Sequence, residues 1–342
     1  MTKLRSTANV LLAIAVMALV VTGCKMKKAP QYPQETRHVM GTDVTITVYD
    51  PGLTMATLKP TFDDLFKLMA DWEKKVLLPG ADNQIAKINA SAGEKSVSSE
   101  PPVFDMLMRA IRLYDNSGKV FDIRYGPMLD AWGFDGTPRV PAPSELDTLK
   151  TLVESGGMFV AGNSILLARK GMKFDTREIA LGTIFDITAA KLAERGIRSA
   201  VIASPRVCRT MGDPPDQRGF PMKISNPVQA DAAWGELHIP VGGTAYASAS
   251  IGRFAANGKN YHALLDPRSG LPADRCAGAI VQAPDAATAQ ALSYAVFVFG
   301  TTDSLDANGK KEIGGSIVIT DDGGKFNHRD TGSLSGKFES VR

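Results

Sequence analysis

A histidine, an aspartate, an arginine and a serine lie within one short segment, from His262 to Pro272, which reads H-A-L-L-D-P-R-S-G-L-P. The two leucines before Asp266 predict a strand, and the proline and glycine after it predict a tight bend. Such a bend would hold Asp266, Arg268 and Ser269 together, with His262 close behind. An imidazole can move protons near neutral pH, so the segment indicates a functional site, although a polar turn that merely ends a strand fits the same residues.

The surrounding sequence alternates between strand and helix periodicities and predicts an α+β fold. Val44, Ile46 and Val48 alternate with threonines, as in a half-buried strand, and residues 158–167 predict a hairpin around Gly162-Asn163. Apolar residues at helical spacing predict helices over residues 58–76, 101–114, 183–195 and 287–299. The sequence has no glycine-rich phosphate loop of either common nucleotide-binding type, which argues against a Rossmann or P-loop fold.

The overall charge is nearly balanced. The 342 residues carry a formal net charge of +3, and no basic stripe alternates with aromatic residues. Nucleic acid is therefore not an expected partner. Two cysteines follow Cys24, Cys208 and Cys276. They would be either a disulfide in an oxidising compartment or two buried small apolar side chains.

The first residues predict secretion and lipid anchoring. Two basic residues precede an apolar run that ends at Thr22-Gly23-Cys24, a run that is short for a membrane span. This ending resembles a bacterial lipobox, which implies a lipoprotein signal peptide over residues 1–24 and lipidation of Cys24. Residues 25–36 then predict a tether. The expected location is the cell envelope, lipid-anchored to a membrane and facing the periplasm or the exterior; a soluble secreted protein and an uncleaved anchor are the alternatives.

The H-x-x-D-P-x-S-G-x-P segment resembles the signature of the ApbE family, the FAD:protein FMN transferases. Further segments resemble the family's motifs in the same order, over about residues 36–320, and these are Met40–Thr42, Phe121–Pro127, Trp132–Phe134 and Ala283–Gly300. The resemblance implies one ApbE-like domain over residues 37–342. In that fold, mixed sheets and packed helices form two closely associated lobes.

The resemblance also implies an activity and a set of residues for it. The family transfers FMN from FAD to a threonine or serine hydroxyl of another protein and releases AMP, with a metal ion, Mg²⁺, to neutralise the pyrophosphate. The acceptor would be a redox protein outside the cytoplasm, carrying the family's acceptor consensus D-x-x-[ST]-G-A-[ST]. His262 would be the catalytic base. The implied FAD-binding residues are Met40, Phe121, Asp122, Asp186, Leu265 and Asp266.

The metal ligands implied by the resemblance come from two segments that depart from the family's pattern. The family's run D-L-[GS]-[GAT]-x-[AG]-[KE]-G is aligned with residues 180–187, which gives Thr183 as a ligand. Its later A-D-A-L-[AD]-T is aligned with residues 289–294, which gives Gln290 and Ser293 as ligands and places Tyr294 where the family has threonine. A hard cation favours carboxylate oxygens, and Gln290 offers a neutral amide instead.

These departures leave two main interpretations open. The first is a working Mg²⁺-dependent FMN transferase. The second is a lipid-anchored relative that binds a flavin or a protein partner without turnover. A different hydrolytic or transfer reaction in the same cleft is a further alternative.

Overall fold

The structure, a computed structural model, describes residues 31–340. The predicted signal peptide, the lipidation site Cys24 and residues 25–30 of the predicted tether lie outside the described residues. The helices are α1 (Met55–Val76), α2 (Gln84–Ala90), α3 (Pro101–Asn116), α4 (Gly126–Trp132), α5 (Pro143–Ser155), α6 (Arg177–Glu194), α7 (Ala286–Phe299) and α8 (Ala307–Glu312). Within the described range, no helix combines the length and the apolar character needed to cross a membrane.

The described strands run from Gln34 to Ser340. They are β1 (Gln34–Val39), β2 (Thr42–Val48), β3 (Val97–Ser98), β4 (Met158–Ala161), β5 (Ser164–Leu167), β6 (Ala200–Ala203), β7 (Val207–Met211), β8 (Phe220–Asn226), β9 (Gln229–Ile239), β10 (Gly242–Ser248), β11 (Phe254–Ala256), β12 (Lys259–Tyr261), β13 (Leu265–Asp266), β14 (Leu271–Pro272), β15 (Gly278–Ala283), β16 (Gly315–Asp322), β17 (Lys325–Gly332) and β18 (Phe338–Ser340). This mixture of helices and sheets confirms the predicted α+β class.

An eight-stranded antiparallel sheet organises the fold, in the order β1-β2-β6-β7-β10-β15-β16-β17. Its central strands are buried on both faces. On β10, Ala245 and Ala247 join the largest apolar cluster, whereas Tyr246 between them joins a second cluster with β8 and β9. Successive side chains of a strand point to opposite faces, so the helices cover one face and the small β8-β9-β18 sheet covers the other.

Helix α7 is the buried element that positions the site. Its 14 residues are almost all buried, and it packs against α6, β10 and β15. Gly182 of α6 lies so close to the start of α7 that an added Cβ would come within 2.5 Å of the Ala286 carbonyl oxygen. A side chain at this position would therefore push the two helices apart.

Most predicted elements are confirmed, and several of their boundaries differ by a few residues. The hairpin over residues 158–167 is β4–β5, and the last helix predicted is α7, which ends at Gly300 in the left-handed conformation expected of a C-cap glycine. Helix α6 begins at Arg177, six residues before the predicted start at Thr183. Strand β1 begins at Gln34, within the residues predicted as tether, and the compact unit begins at Pro33.

The two cysteines that sequence left open are free and buried. Cys208 lies in β7, and the thiol of Cys276 donates to the carbonyl of Phe297 at 3.4 Å. Burial raises the pKa of each thiol to about 12. Both cysteines therefore act as small apolar side chains in this structure, which is the second of the two alternatives.

The close contact between α6 and α7 predicts that Gly182→Ala destabilises the protein. Alanine is favoured over glycine within a helix by about 1 kcal/mol, but the clash with Ala286 should outweigh this gain and leave a net loss of roughly 1–3 kcal/mol. The measurement is the free energy of unfolding from urea denaturation. Gly136→Ala is the control, since its Cβ would meet nothing within 4 Å; equal stability of the two variants would contradict the packing described.

Candidate active site

His262 lies just before the hairpin that the sequence predicts. Strands β13 and β14 pair Leu265 with Pro272. The Nε2 of His262 hydrogen-bonds the carbonyl of Ala273 at 3.0 Å, directly after the hairpin. A carbonyl can only accept, so Nε2 carries the proton and Nδ1 carries the lone pair. Nδ1 is buried and has no hydrogen-bond partner within the part of the chain that the structure describes.

The surroundings of His262 keep its imidazole neutral. Burial lowers the pKa of His262 to about 4, the charge of Arg253 acts in the same direction, and the bond to Ala273 opposes both. The ring packs edge-on against Phe297 of α7, with centroids 5.4 Å apart. A pKa near the ordinary 6.5 was expected from sequence, and burial of the ring is the reason for the difference. At neutral pH the ring is therefore a proton acceptor.

Tyr294 of α7 forms the centre of the site and links several predicted residues. Its hydroxyl donates to the carbonyl of Leu265 at 2.5 Å. Its ring packs edge-on against that of Phe121, with the ring centroids 6.2 Å apart. Burial raises the pKa of Tyr294 well above its ordinary value, and the carboxylates of Glu178, Asp266, Asp122 and Asp175 add to this effect. Phe121, Asp122, Leu265 and Asp266, which the resemblance assigns to flavin binding, are thus assembled around one tyrosine.

Each of the four carboxylates near Tyr294 has its own arginine. The closest approach is 2.6 Å in each pair, and the pairs are Asp122–Arg124, Asp175–Arg177, Glu178–Arg206 and Asp266–Arg268. The acidic side chains are 5–21% exposed. Charges this poorly hydrated are costly without a partner, and each arginine supplies one. We call this set of eight residues the paired-charge cluster.

Three of the four pairs repeat one local motif, D-x-R. In each, the first aspartate oxygen accepts from the arginine backbone N–H and the side chains then pair, as in Asp122–Arg124, Asp175–Arg177 and Asp266–Arg268. Sequence-based prediction did not include five members of the cluster in the site: Arg124, Asp175, Arg177, Glu178 and Arg206. The repeated D-x-R spacing was the available signal, since an aspartate readily caps the backbone two residues on. The same motif at Asp216–Arg218 shows that the spacing alone does not mark a site.

The side chains that the resemblance implies as metal ligands form hydrogen bonds within the protein. The side-chain oxygen of Gln290 accepts from the N–H of Gly182 at 2.8 Å, and its amide nitrogen donates to the carbonyl of Arg177 at 3.0 Å. The hydroxyl of Thr183 donates to Ile179, and that of Ser293 donates to Gln290, both at 2.9 Å. Among the residues described, no group of three or more His, Cys, Asp or Glu side chains could hold a metal ion. The three residues offer one amide oxygen and two hydroxyl oxygens and no carboxylate, so they do not fit Mg²⁺, which proteins usually bind through one or two carboxylates.

Thr183 and Asp186 lie inside α6, several residues after its start at Arg177. Asp186, predicted to bind the cofactor, instead caps α7. Its carboxylate accepts from the N–H groups of Ala286 at 2.8 Å and Ala287 at 3.1 Å. Burial raises the pKa of Asp186 to about 6, and the nearby charge of Asp285 adds to this effect.

Met40 lies at the two-residue turn between β1 and β2. It is buried in the largest apolar cluster, which also includes Phe121 and Tyr294, and its φ of 59° lies in the left-handed region. A bulky side chain rarely adopts this conformation, and such strain is often found at functional sites. This position agrees with a role in ligand contact.

A model of the ApbE family matches residues 40–314. A FAD:protein FMN transferase from Haemophilus influenzae is 24% identical over 92% of this chain and 93% of its own length. One from Klebsiella pneumoniae is 26% identical over 69% of this chain and 72% of its own.

The solved structures show the same fold. The ApbE protein from Thermotoga maritima has a TM-score of 0.74 and 21% identity, and covers 87% of this chain and 96% of its own. The flavinyl transferase ApbE from Pseudomonas stutzeri, in its apo form, has a TM-score of 0.73 and 20% identity, and the match covers 90% of this chain and 97% of that protein.

Burial of His262 predicts that part of the protein's stability is lost in acid. The pKa of His262 is about 4 in the folded chain and near 6.5 in the unfolded chain. Between these two pH values the unfolded chain binds a proton that the folded chain does not. The titration of His262 therefore leaves the free energy of unfolding unchanged above pH 6.5 and decreases it as the pH falls from 6.5 to 4. The loss over this range should reach about 3 kcal/mol. The measurement is the free energy of unfolding of wild type and His262→Asn at several pH values. Parallel curves for the two proteins would show that His262 is not buried as a neutral ring.

Proposed function

The chain belongs to the ApbE family, and we propose that it is a FAD:protein FMN transferase. In this reaction it transfers FMN from FAD to a serine or threonine hydroxyl of an extracytoplasmic redox protein and releases AMP. The names of the curated relatives support the reaction type. One observation carries the proposal for this chain: just before the β13–β14 hairpin lies a neutral imidazole whose Nδ1 has no hydrogen-bond partner among the described residues.

The proposed chemistry is one displacement at phosphorus. The acceptor hydroxyl oxygen attacks the phosphorus on the FMN side of the pyrophosphate, the bond to the bridging oxygen breaks, and AMP leaves with that oxygen. The hydroxyl proton passes to Nδ1 of His262. The bond from Nε2 to Ala273 holds the tautomer that makes this possible.

The flavin would lie near Tyr294, in contact with Met40, Phe121 and the hairpin. The strained turn at Met40 and the ring of Phe121 provide apolar surface. The free N–H groups of Arg124 and Arg268 could bind phosphate oxygens, because each guanidinium has five donors and its aspartate uses only part of them. Mg²⁺, which the resemblance implies, does not fit the residues present, and no step above passes through it.

A second candidate is a flavin-binding protein without turnover. The observation that favours it is the bond from Tyr294 to the carbonyl of Leu265, which occupies backbone that the resemblance assigns to the flavin. Such a protein would bind FAD and release it unchanged. Covalent attachment of FMN to an acceptor separates the two candidates.

The transferase proposal predicts FMN-labelled acceptor when the full-length chain is incubated with FAD and a protein that carries D-x-x-[ST]-G-A-[ST]. The measurements are flavin fluorescence of the acceptor on a denaturing gel and AMP release by chromatography. His262→Asn should lower the rate by roughly 10²–10⁴-fold, the usual contribution of a general base. His238→Asn, which alters a buried histidine on β9, is the control and should keep the rate. FAD binding without label on the acceptor would favour the second candidate.

We also propose that the chain is a lipoprotein of the cell envelope, facing the periplasm or the exterior, with Cys24 as the lipidated residue. The support is the apolar run that ends at Thr22-Gly23-Cys24. Two or more acyl chains anchor far more firmly than one.

The anchor predicts that Cys24→Ser releases the protein from lipid attachment. In bacterial cells fed a labelled fatty acid, the full-length chain should carry label and the variant should not. Cys208→Ser alters a buried cysteine and should keep the label. Label on the Cys24→Ser protein would contradict the assignment.

A further inference from the structure

Gln290 joins α6 and α7 through both ends of its amide. The residue is 2% exposed. Its oxygen accepts from Gly182, and its nitrogen donates to the Arg177 carbonyl. The Arg177 carbonyl lies at the start of α6, where a cation would need oxygen ligands. It already accepts a hydrogen bond from the Gln290 side-chain N–H. A cation placed there would have to displace this N–H and would face the remaining amide hydrogens.

The carboxylates nearby are equally unavailable. Asp175, Glu178, Asp122 and Asp266 are each held by an arginine at 2.6 Å. A divalent ion would have to break or share at least one of these pairs, and separating a poorly hydrated pair is costly. The arginines that hold Asp122, Asp175 and Glu178 are only 23–34% exposed.

We propose that this site functions without a divalent cation, with the Gln290 amide and the four arginines of the paired-charge cluster taking over the cation's role. The amide binds the helix carbonyl, and the arginines neutralise the carboxylates and offer their remaining N–H groups to an anionic ligand. The identity of that ligand, the pyrophosphate of FAD, rests on the proposed function. The absence of a cation rests on the contacts above.

The direct test is a titration of the full-length wild-type chain with Mn²⁺, followed by electron paramagnetic resonance of the free ion. The expected result is no stoichiometric Mn²⁺ binding. One Mn²⁺ bound per chain and released when competing Mg²⁺ is added would overturn the inference. This titration uses no flavin, so its result does not depend on whether the chain is a transferase.

A second titration measures FAD affinity in EDTA and in excess Mg²⁺. The dissociation constants should agree within about twofold, and a tightening of about tenfold or more with Mg²⁺ would overturn the inference. If FAD does not bind in either condition, the proposed function fails. The Mn²⁺ result still stands in that case, so the two failures are distinguishable.

Gln290→Asp provides a gain-of-function test, because it removes the N–H that occupies the Arg177 carbonyl and adds a carboxylate. Mn²⁺ should raise the midpoint of thermal unfolding of this variant and leave the wild type unchanged. Gln282→Asp is the matched control, since Gln282 is also buried and its amide also bonds backbone carbonyls. Equal responses of the two variants to Mn²⁺ would contradict the role assigned to Gln290. The wild-type titration decides the matter if Gln290→Asp does not fold.

Discussion

The rest of the site depends on the contact between α6 and α7. Gly182 allows the helices to approach, Asp186 of α6 caps the first turn of α7, and Gln290 of α7 bonds back to both Gly182 and Arg177. This contact fixes the rotation of α7, which in turn sets Tyr294 against Leu265 and Phe297 against His262. A substitution at any one of these groups would therefore shift α7 and change the packing of Phe297 against His262.

Charge neutralisation within the chain is the second organising feature. Four poorly exposed carboxylates surround a buried tyrosine, and each is paired with an arginine at close range. A phosphoryl-transfer site needs positive charge near the pyrophosphate, and guanidinium groups supply it with fixed geometry. The arginines therefore supply the positive charge that a metal was expected to supply. His262 remains neutral and lies beside the hairpin, as a base requires.

The sequence was sufficient for the parts of the structure that depend on local patterns. Alternation at β2, the turn at Gly162-Asn163 and the bend after Asp266 were each predicted and found. Non-local contacts were not predictable in the same way. The pKa of His262 depends on burial of the ring beside Phe297. The hydrogen bonds that engage the Gln290 amide come from the Arg177 carbonyl and the Gly182 N–H, both more than a hundred positions away. The start of α6 was missed because Asp175, Arg177 and Glu178 lack apolar periodicity.

Anomalous X-ray scattering from crystals of the chain grown with FAD and Mn²⁺ tests the central claim most directly. We predict that the side-chain N–H of Gln290 donates to the Arg177 carbonyl in these crystals, that the arginine pairs persist, and that there is no anomalous peak between α6 and α7. An anomalous peak at about 2.1 Å from the Arg177 carbonyl oxygen, the distance expected of a coordinated ion of this size, would contradict it.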